Sequence, residues 1–172
     1  MSDDEFTLKT ISHLLNQKKY FYTLDKSKKY FFTVKIKKYE KELQIQCLDK
    51  ASTLKIPVNF NILFANLSML FSDYSINIDN IKFYPFKQSF FYKDKYINLG
   101  NIHFIILSQL ILSNPDTIEK IDLYKTIWPK DKDYQMNKLD THLTNLKKYL
   151  DEKLNFKFNF LSISGKIKLI IN

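Results

Sequence analysis

Residues that could do chemistry are sparse in this sequence. It holds three histidines, one cysteine and two glycines. His13, His103 and His142 lie in separate segments, and none has an Asp/Glu/His cluster at metal-ligand spacing beside it. They read as packing or surface residues. Cys47, within "LQIQCL", reads as a buried strand residue, and a lone cysteine supplies neither a disulfide framework nor a cysteine-based metal site. Gly100 and Gly165 alone cannot build a phosphate-cradling loop. No nucleophile, base and orienting group can be assembled, so the sequence points away from an enzyme and implies no cofactor.

What remains is a contact surface rather than a reaction centre. Residues 137–154, "NKLDTHLTNLKKYLDEKL", place Leu139, Leu143, Leu146 and Leu150 within an arc of about 60° on a helical wheel. Opposite that stripe lie Asn137, Thr141, Thr144, Asn145 and Lys148, flanked by Lys138, His142 and Lys147. An isolated amphipathic helix ordinarily shows water a face of this kind. Here, however, the centre of the face is polar and uncharged, its margins carry lysine, and Asp140, Asp151 and Glu152 keep to the ends. Such a face suits a nucleic-acid groove, where Asn and Thr meet base edges while Lys meets phosphate.

Several elements must position that helix. "INIDNIKFYPFKQSFFYKDKYINLG" is strand-rich, with a turn at "YKDKY" and Pro85 at an irregular position. "NIHFIILSQLILSN" is apolar nearly all round, as a central buried helix is, and Asn114-Pro115-Asp116 ends it. "EKIDLYKTIW" predicts a short helix, with Ile121, Tyr124 and Ile127, or Leu123 and Ile127, as its apolar side and Trp128 as a core anchor. The polar loop "PKDKDYQM" follows. After residue 154, "FKFNFLSISGKIKLIIN" predicts two strands around Ser164-Gly165-Lys166, a hairpin with a basic tip.

Upstream, residues 6–18 predict a helix with Phe6, Leu8, Ile11, Leu14 and Leu15 on one face. "YFFTVKIKK" and "KELQIQCL" alternate as half-buried strands joined through "KYEKE". Residues 59–72 predict a helix with Phe60, Leu63, Phe64, Leu67 and Phe71 as its stripe.

At 172 residues and 45% hydrophobic content, the chain suits one compact domain or two small ones. No apolar run reaches the roughly 18 residues of a membrane span, and the acidic start lacks the order of a signal peptide. These features predict a cytoplasmic protein with no membrane partner. The net charge of +9 favours phosphate-rich partners. Every basic residue is lysine, and the abundance of Lys, Ile, Asn, Phe and Tyr fits an A·T-rich, bacterial genome. The charge is spread evenly: residues 1–75 hold 12 lysines against 8 acids, residues 76–172 hold 15 against 10. Charge alone locates no binding face.

Strands, buried helix, short helix, polar loop, long helix and terminal hairpin, in that order, are those of a winged helix-turn-helix. Residues 76–172 resemble the OmpR/PhoB-type DNA-binding domain of response regulators. Leu99, Leu107, Asn114, Leu123 and Trp128 fall on matching positions of the first two helices, and "LDTHLTNLKKYL" is similar to the family's recognition-helix pattern. Departures are His103 for the usual glutamate, Gly100 for a threonine, Lys120 for the Ser/Thr cap, and a wing reduced to one glycine, Gly165. The resemblance implies that Thr141 and Asn145 face bases, with Lys138 joining them. His142, Lys147 and Lys148 correspond to its backbone contacts. Asn binds adenine in a bidentate way, Thr meets the thymine methyl, and bidentate Arg–guanine pairing is unavailable. An A·T-rich duplex site follows, with wing residues Lys166 and Lys168 suited to a narrow minor groove. The loop at 129–134 occupies the position from which this family contacts RNA polymerase.

The expected architecture is therefore α+β: a C-terminal winged helix-turn-helix (residues 76–172) with an N-terminal antiparallel sheet, three helices and a C-terminal hairpin, preceded by a small α/β domain (residues 1–75). Within that first part, "LKIPVNFNILFANLSMLF" resembles the end of a receiver. Asp3 and Asp4 follow no strand, and Asp25 and Asp49 lack the rest of a phosphorylation pocket. The segment reads as a shrunken or unrelated domain that is not phosphorylated and serves dimerisation or docking. The leading expectation is a sequence-specific, phosphorylation-independent transcriptional regulator that binds double-stranded DNA. The alternative is a protein-interaction module on a winged-helix scaffold. An RNA-binding role would require exposed aromatic platforms, which the sequence does not identify.

Overall fold

A computed structural model describes residues 5–17, 22, 24, 27–31, 33–78, 80–154 and 158–171. Asp3, Asp4, Asp25 and Phe32 lie outside the described residues, as do the side chains of Phe6 and Leu154. The chain divides into two compact units, Met1–Tyr74 and Ser75–Asn172.

In the first unit, α1 (Glu5–Gln17) buries Ile11 and Leu14. Strands β1 (Val34–Lys38), β2 (Glu42–Cys47) and β3 (Lys50–Lys55) form an antiparallel meander. In β2 the alternation is complete, with Leu43, Ile45 and Cys47 buried and Glu42, Gln44 and Gln46 exposed. Burial pushes the Cys47 thiol above its ordinary pKa, leaving it an inert core group. Strand β3, "KASTLK", has no apolar alternation that predicts it; only Ser52 and Leu54 are partly sheltered along it. Every pairing in this sheet is antiparallel, whereas a doubly wound receiver-type sheet is parallel. Helix α2 (Phe60–Phe71) starts at Asn59, whose side chain accepts from the Ile62 amide at 2.9 Å. Its buried stripe is Leu63, Leu67, Leu70 and Phe71. Phe60 is 45% exposed, a correction to the expected stripe: it opens the helix, one turn before the packed face begins.

In the second unit, β4 (Ile76–Ile78), β5 (Ile81–Tyr84), β6 (Ser89–Tyr92) and β7 (Lys95–Asn98) form a four-stranded antiparallel sheet. The β6–β7 hairpin turns at Lys93 and Asp94, both at positive φ, as a I′ turn requires. One face of this sheet carries Phe83, Phe90 and Ile97 into the core, and Phe83 meets Phe104 of α3 (Asn101–Ser113) at 5.8 Å between ring centroids. Helix α3 buries Phe104 through Ser108 and Leu110, a nearly continuous run that only a helix packed on several sides can have.

The chain then forms a two-residue strand, β8 (Ile118–Glu119), before α4 (Lys120–Ile127) and α5 (Met136–Leu154). In α4, Leu123 and Tyr124 are buried, while Ile121 faces water. Strands β9 (Phe158–Ile163) and β10 (Lys166–Ile171) close the fold as a hairpin, in the order β8-β10-β9. Its turn, Ser164-Gly165, again has positive φ at both positions. Three helices plus this hairpin make a winged helix-turn-helix carrying an N-terminal sheet, the expected α+β fold. Among the described residues, no helix is long and apolar enough to cross a membrane.

Candidate nucleic-acid interface

Helix α5 is held from beneath by its leucines. Leu139, Leu146 and Leu150 are fully enclosed and Leu143 nearly so, each contributing roughly 1.5–3 kcal/mol of burial. Polar contacts fix its rotation. Asp140 receives the Lys120 ammonium at 2.6 Å, so the first residue of α4 is clamped to the second turn of α5. Lys120 thus makes an interhelical contact through its side chain, and its own amide donates to the Gly165 carbonyl of the wing turn at 2.8 Å.

On the outward side, Asn137, Thr141, Thr144, Asn145 and Lys148 are all exposed. The Thr141 hydroxyl donates to the Asn137 carbonyl at 2.8 Å and the Thr144 hydroxyl to the Asp140 carbonyl at 2.9 Å. These back-bonds occupy the hydroxyl hydrogens and leave the methyl groups as the outer substituents. Lys148 pairs loosely with Glu152 at 3.9 Å on the exposed surface.

Three other expected contact residues are already engaged. The Lys138 ammonium lies 4.2 Å from the centroid of the Trp128 ring and donates to Asp131 at 3.0 Å. Asp131 also accepts from the Tyr124 hydroxyl at 2.9 Å. The Lys138 hydrogen bond, then that of Tyr124, holds the Asp131 carboxyl below its ordinary pKa. His142 is half-buried, its ring 5.4 Å from Trp128 and 6.0 Å from His103. Burial first, then the proximity of His142, lowers the pKa of His103. Lys147 donates to Asn159 of β9 at 3.1 Å and joins the helix to the wing.

The wing adds a second surface. Cross-strand pairing sets Ile163 opposite Lys166 and Leu161 opposite Lys168, so all four share the face turned away from buried Ile167 and Leu169. Lys166 pairs with Glu119 at 3.3 Å. Leu161 and Ile163 are 44% and 59% exposed. The basic tip marks the lysines in the sequence and nothing marks this apolar pair, although strand alternation places all four together. Among the described residues, no group of three or more His, Cys, Asp or Glu could hold a metal ion.

No family model matches the chain, and no curated protein matches it. Among solved structures it is similar to the DNA-binding domain of Escherichia coli CadC, with a TM-score of 0.47 and 11% identity over 56% of this chain and 91% of that one. It is also similar to a structure described as a novel family of redox sensors in the streptococci evolved from two-component response regulators. There the TM-score is 0.45 and the identity 16%, over 69% of this chain and 56% of that one. A point mutant of RitR gives 0.45 and 15%, over 69% and 55%.

Proposed function

We propose that this chain is a sequence-specific regulator of transcription that binds duplex DNA with α5 in the major groove and needs no phosphorylation. The observation that carries this reading is the exposed polar row Asn137, Thr141, Thr144, Asn145 and Lys148, on a helix whose opposite face is locked into the core. Threonines with back-bonded hydroxyls offer methyl groups, which suit the thymine methyl, and Asn145 suits adenine. Lys148 and wing residues Lys166 and Lys168 meet phosphates or a narrow minor groove. Lys138, His142 and, in part, Lys147 act as positioning residues that hold the helix. The exposed loop at 129–134 is available to RNA polymerase, and residues 1–75 serve dimerisation or docking.

The test is selection of bound sequences from random duplexes. An A·T-rich motif is expected, and Asn145→Ala should relax it at one position. A G·C-rich motif, or no enrichment, would sink the proposal. The exposed Leu161 and Ile163 on the wing favour a second reading, a protein-interaction module. That reading gains if selection fails while the folded chain captures a protein in a manner that depends on Ile163.

A further inference from the structure

The four-stranded sheet β4-β5-β6-β7 has a second face, opposite the one that carries Phe83, Phe90 and Ile97 into the core. Its cross-strand register aligns Asn77 with Lys82, Lys82 with Phe91, and Phe91 with Tyr96. The adjacent row sets Tyr84 opposite Ser89 and Ser89 opposite Asn98. Three aromatic rings therefore converge on one solvent-facing patch. Phe91 and Tyr96 are 4.8 Å apart, Tyr84 and Tyr96 5.9 Å, with planes tilted by 50° in both pairs. Tyr96 is 58% exposed, and Tyr84 and Phe91 are half-buried. No acid belongs to either row. Lys82 stands within the first, and the Lys87 ammonium lies 5.2 Å from the Tyr84 centroid and 6.0 Å from that of Tyr96.

We infer that this face is a stacking platform for single-stranded nucleic acid, separate from the duplex-reading face of α5. The position of Lys87 carries much of the inference. An ammonium resting over two rings shows that their negative π-faces are open on the solvent side, where a base plane can replace it. A displaced Lys87 is then placed to reach a backbone phosphate, as is Lys82 beside Phe91. Aromatic faces with lysine at the margin and no competing acid are what a sequence-tolerant single-strand site needs. A duplex has its base faces already stacked and cannot use the rings.

Binding of fluorescently labelled oligothymidylate and oligouridylate to the full chain tests this, with a duplex measured in parallel. The chain is expected to bind the single strands with affinity that falls as salt rises. Tyr96→Ala should weaken that binding roughly tenfold, Tyr96→Phe should retain it, and Lys87→Gln should weaken it with a shallower salt dependence. Lys148→Gln and Asn145→Ala should leave single-strand binding intact while impairing duplex binding, so failure of the duplex reading and failure of this one are distinguishable. Single-strand binding that is indifferent to Tyr96→Ala overturns the platform, as does loss through Lys148→Gln alone. Equal displacement by polyglutamate, whatever the residue at 96, identifies a general acidic-partner surface and also overturns it.

Discussion

The first turn of α5 and its middle carry the same kind of residue and use it in opposite ways. Lys138 is covered by the Trp128 ring and fastened to Asp131. Lys148 stands in water, loosely paired with the Glu152 carboxylate. A wheel drawn from the sequence puts Lys148 in the groove-facing row and Lys138 at its flank. The difference is made by neighbouring elements, because Trp128 caps α4 and the following loop supplies Asp131. Charge on a helix therefore identifies a ligand contact only after the ammonium's partners within the fold are known.

The most severe way to break this contrast is to remove the helix that both ends share. Leu146→Ala opens a cavity at a fully buried site and should cost about 2–5 kcal/mol in urea denaturation, with both ends lost together. Substitution of the two lysines by glutamine sharpens the contrast directly. Lys148→Gln should lower the magnitude of the salt slope of duplex binding by about one and leave stability within about 0.5 kcal/mol. Lys138→Gln should do the reverse, losing about 0.5–1 kcal/mol of stability with the salt slope unchanged. Equal slopes for the two variants would falsify the division of roles.

A smaller effect concerns His103, beneath the first turns. Folding lowers its pKa through burial and the neighbouring His142, so the folded state favours the neutral ring. The unfolded chain takes up this proton near pH 6.5 and the folded chain only below that. Stability from this site is thus undiminished above about pH 6.5 and declines as pH falls through the folded pKa. His103→Phe should flatten that decline in urea midpoints followed against pH, and an unchanged profile would assign the acid sensitivity elsewhere.

Much of the fold could be read from periodicity. The leucines of α5, the alternation of β2 and the all-round apolarity of α3 each announce one element, and each is realised. Strands β3 and β8 could not be read: the first has little apolar period, and the second exists because β10 supplies its partner. At the candidate site, exposure of Thr141, Asn145 and Lys148 follows from the wheel. The engagement of Lys138, His142 and Lys147 does not, since Asp131, Trp128 and Asn159 reach them only in three dimensions. The aromatic patch shows the same limit, as Tyr84, Phe91 and Tyr96 meet through strand register and not through spacing along the chain.

The cluster around Trp128 has one more consequence. It is the sole tryptophan of the chain, and it sits under the first turns of α5 with the Lys138 ammonium over its ring and His142 at its side. Indole emission responds to nearby charge and to solvent access. Any occupant of the groove-facing row that draws Lys138 away or shifts the start of α5 will therefore alter the emission of Trp128. The fold carries its own optical reporter at the base of the helix it presents.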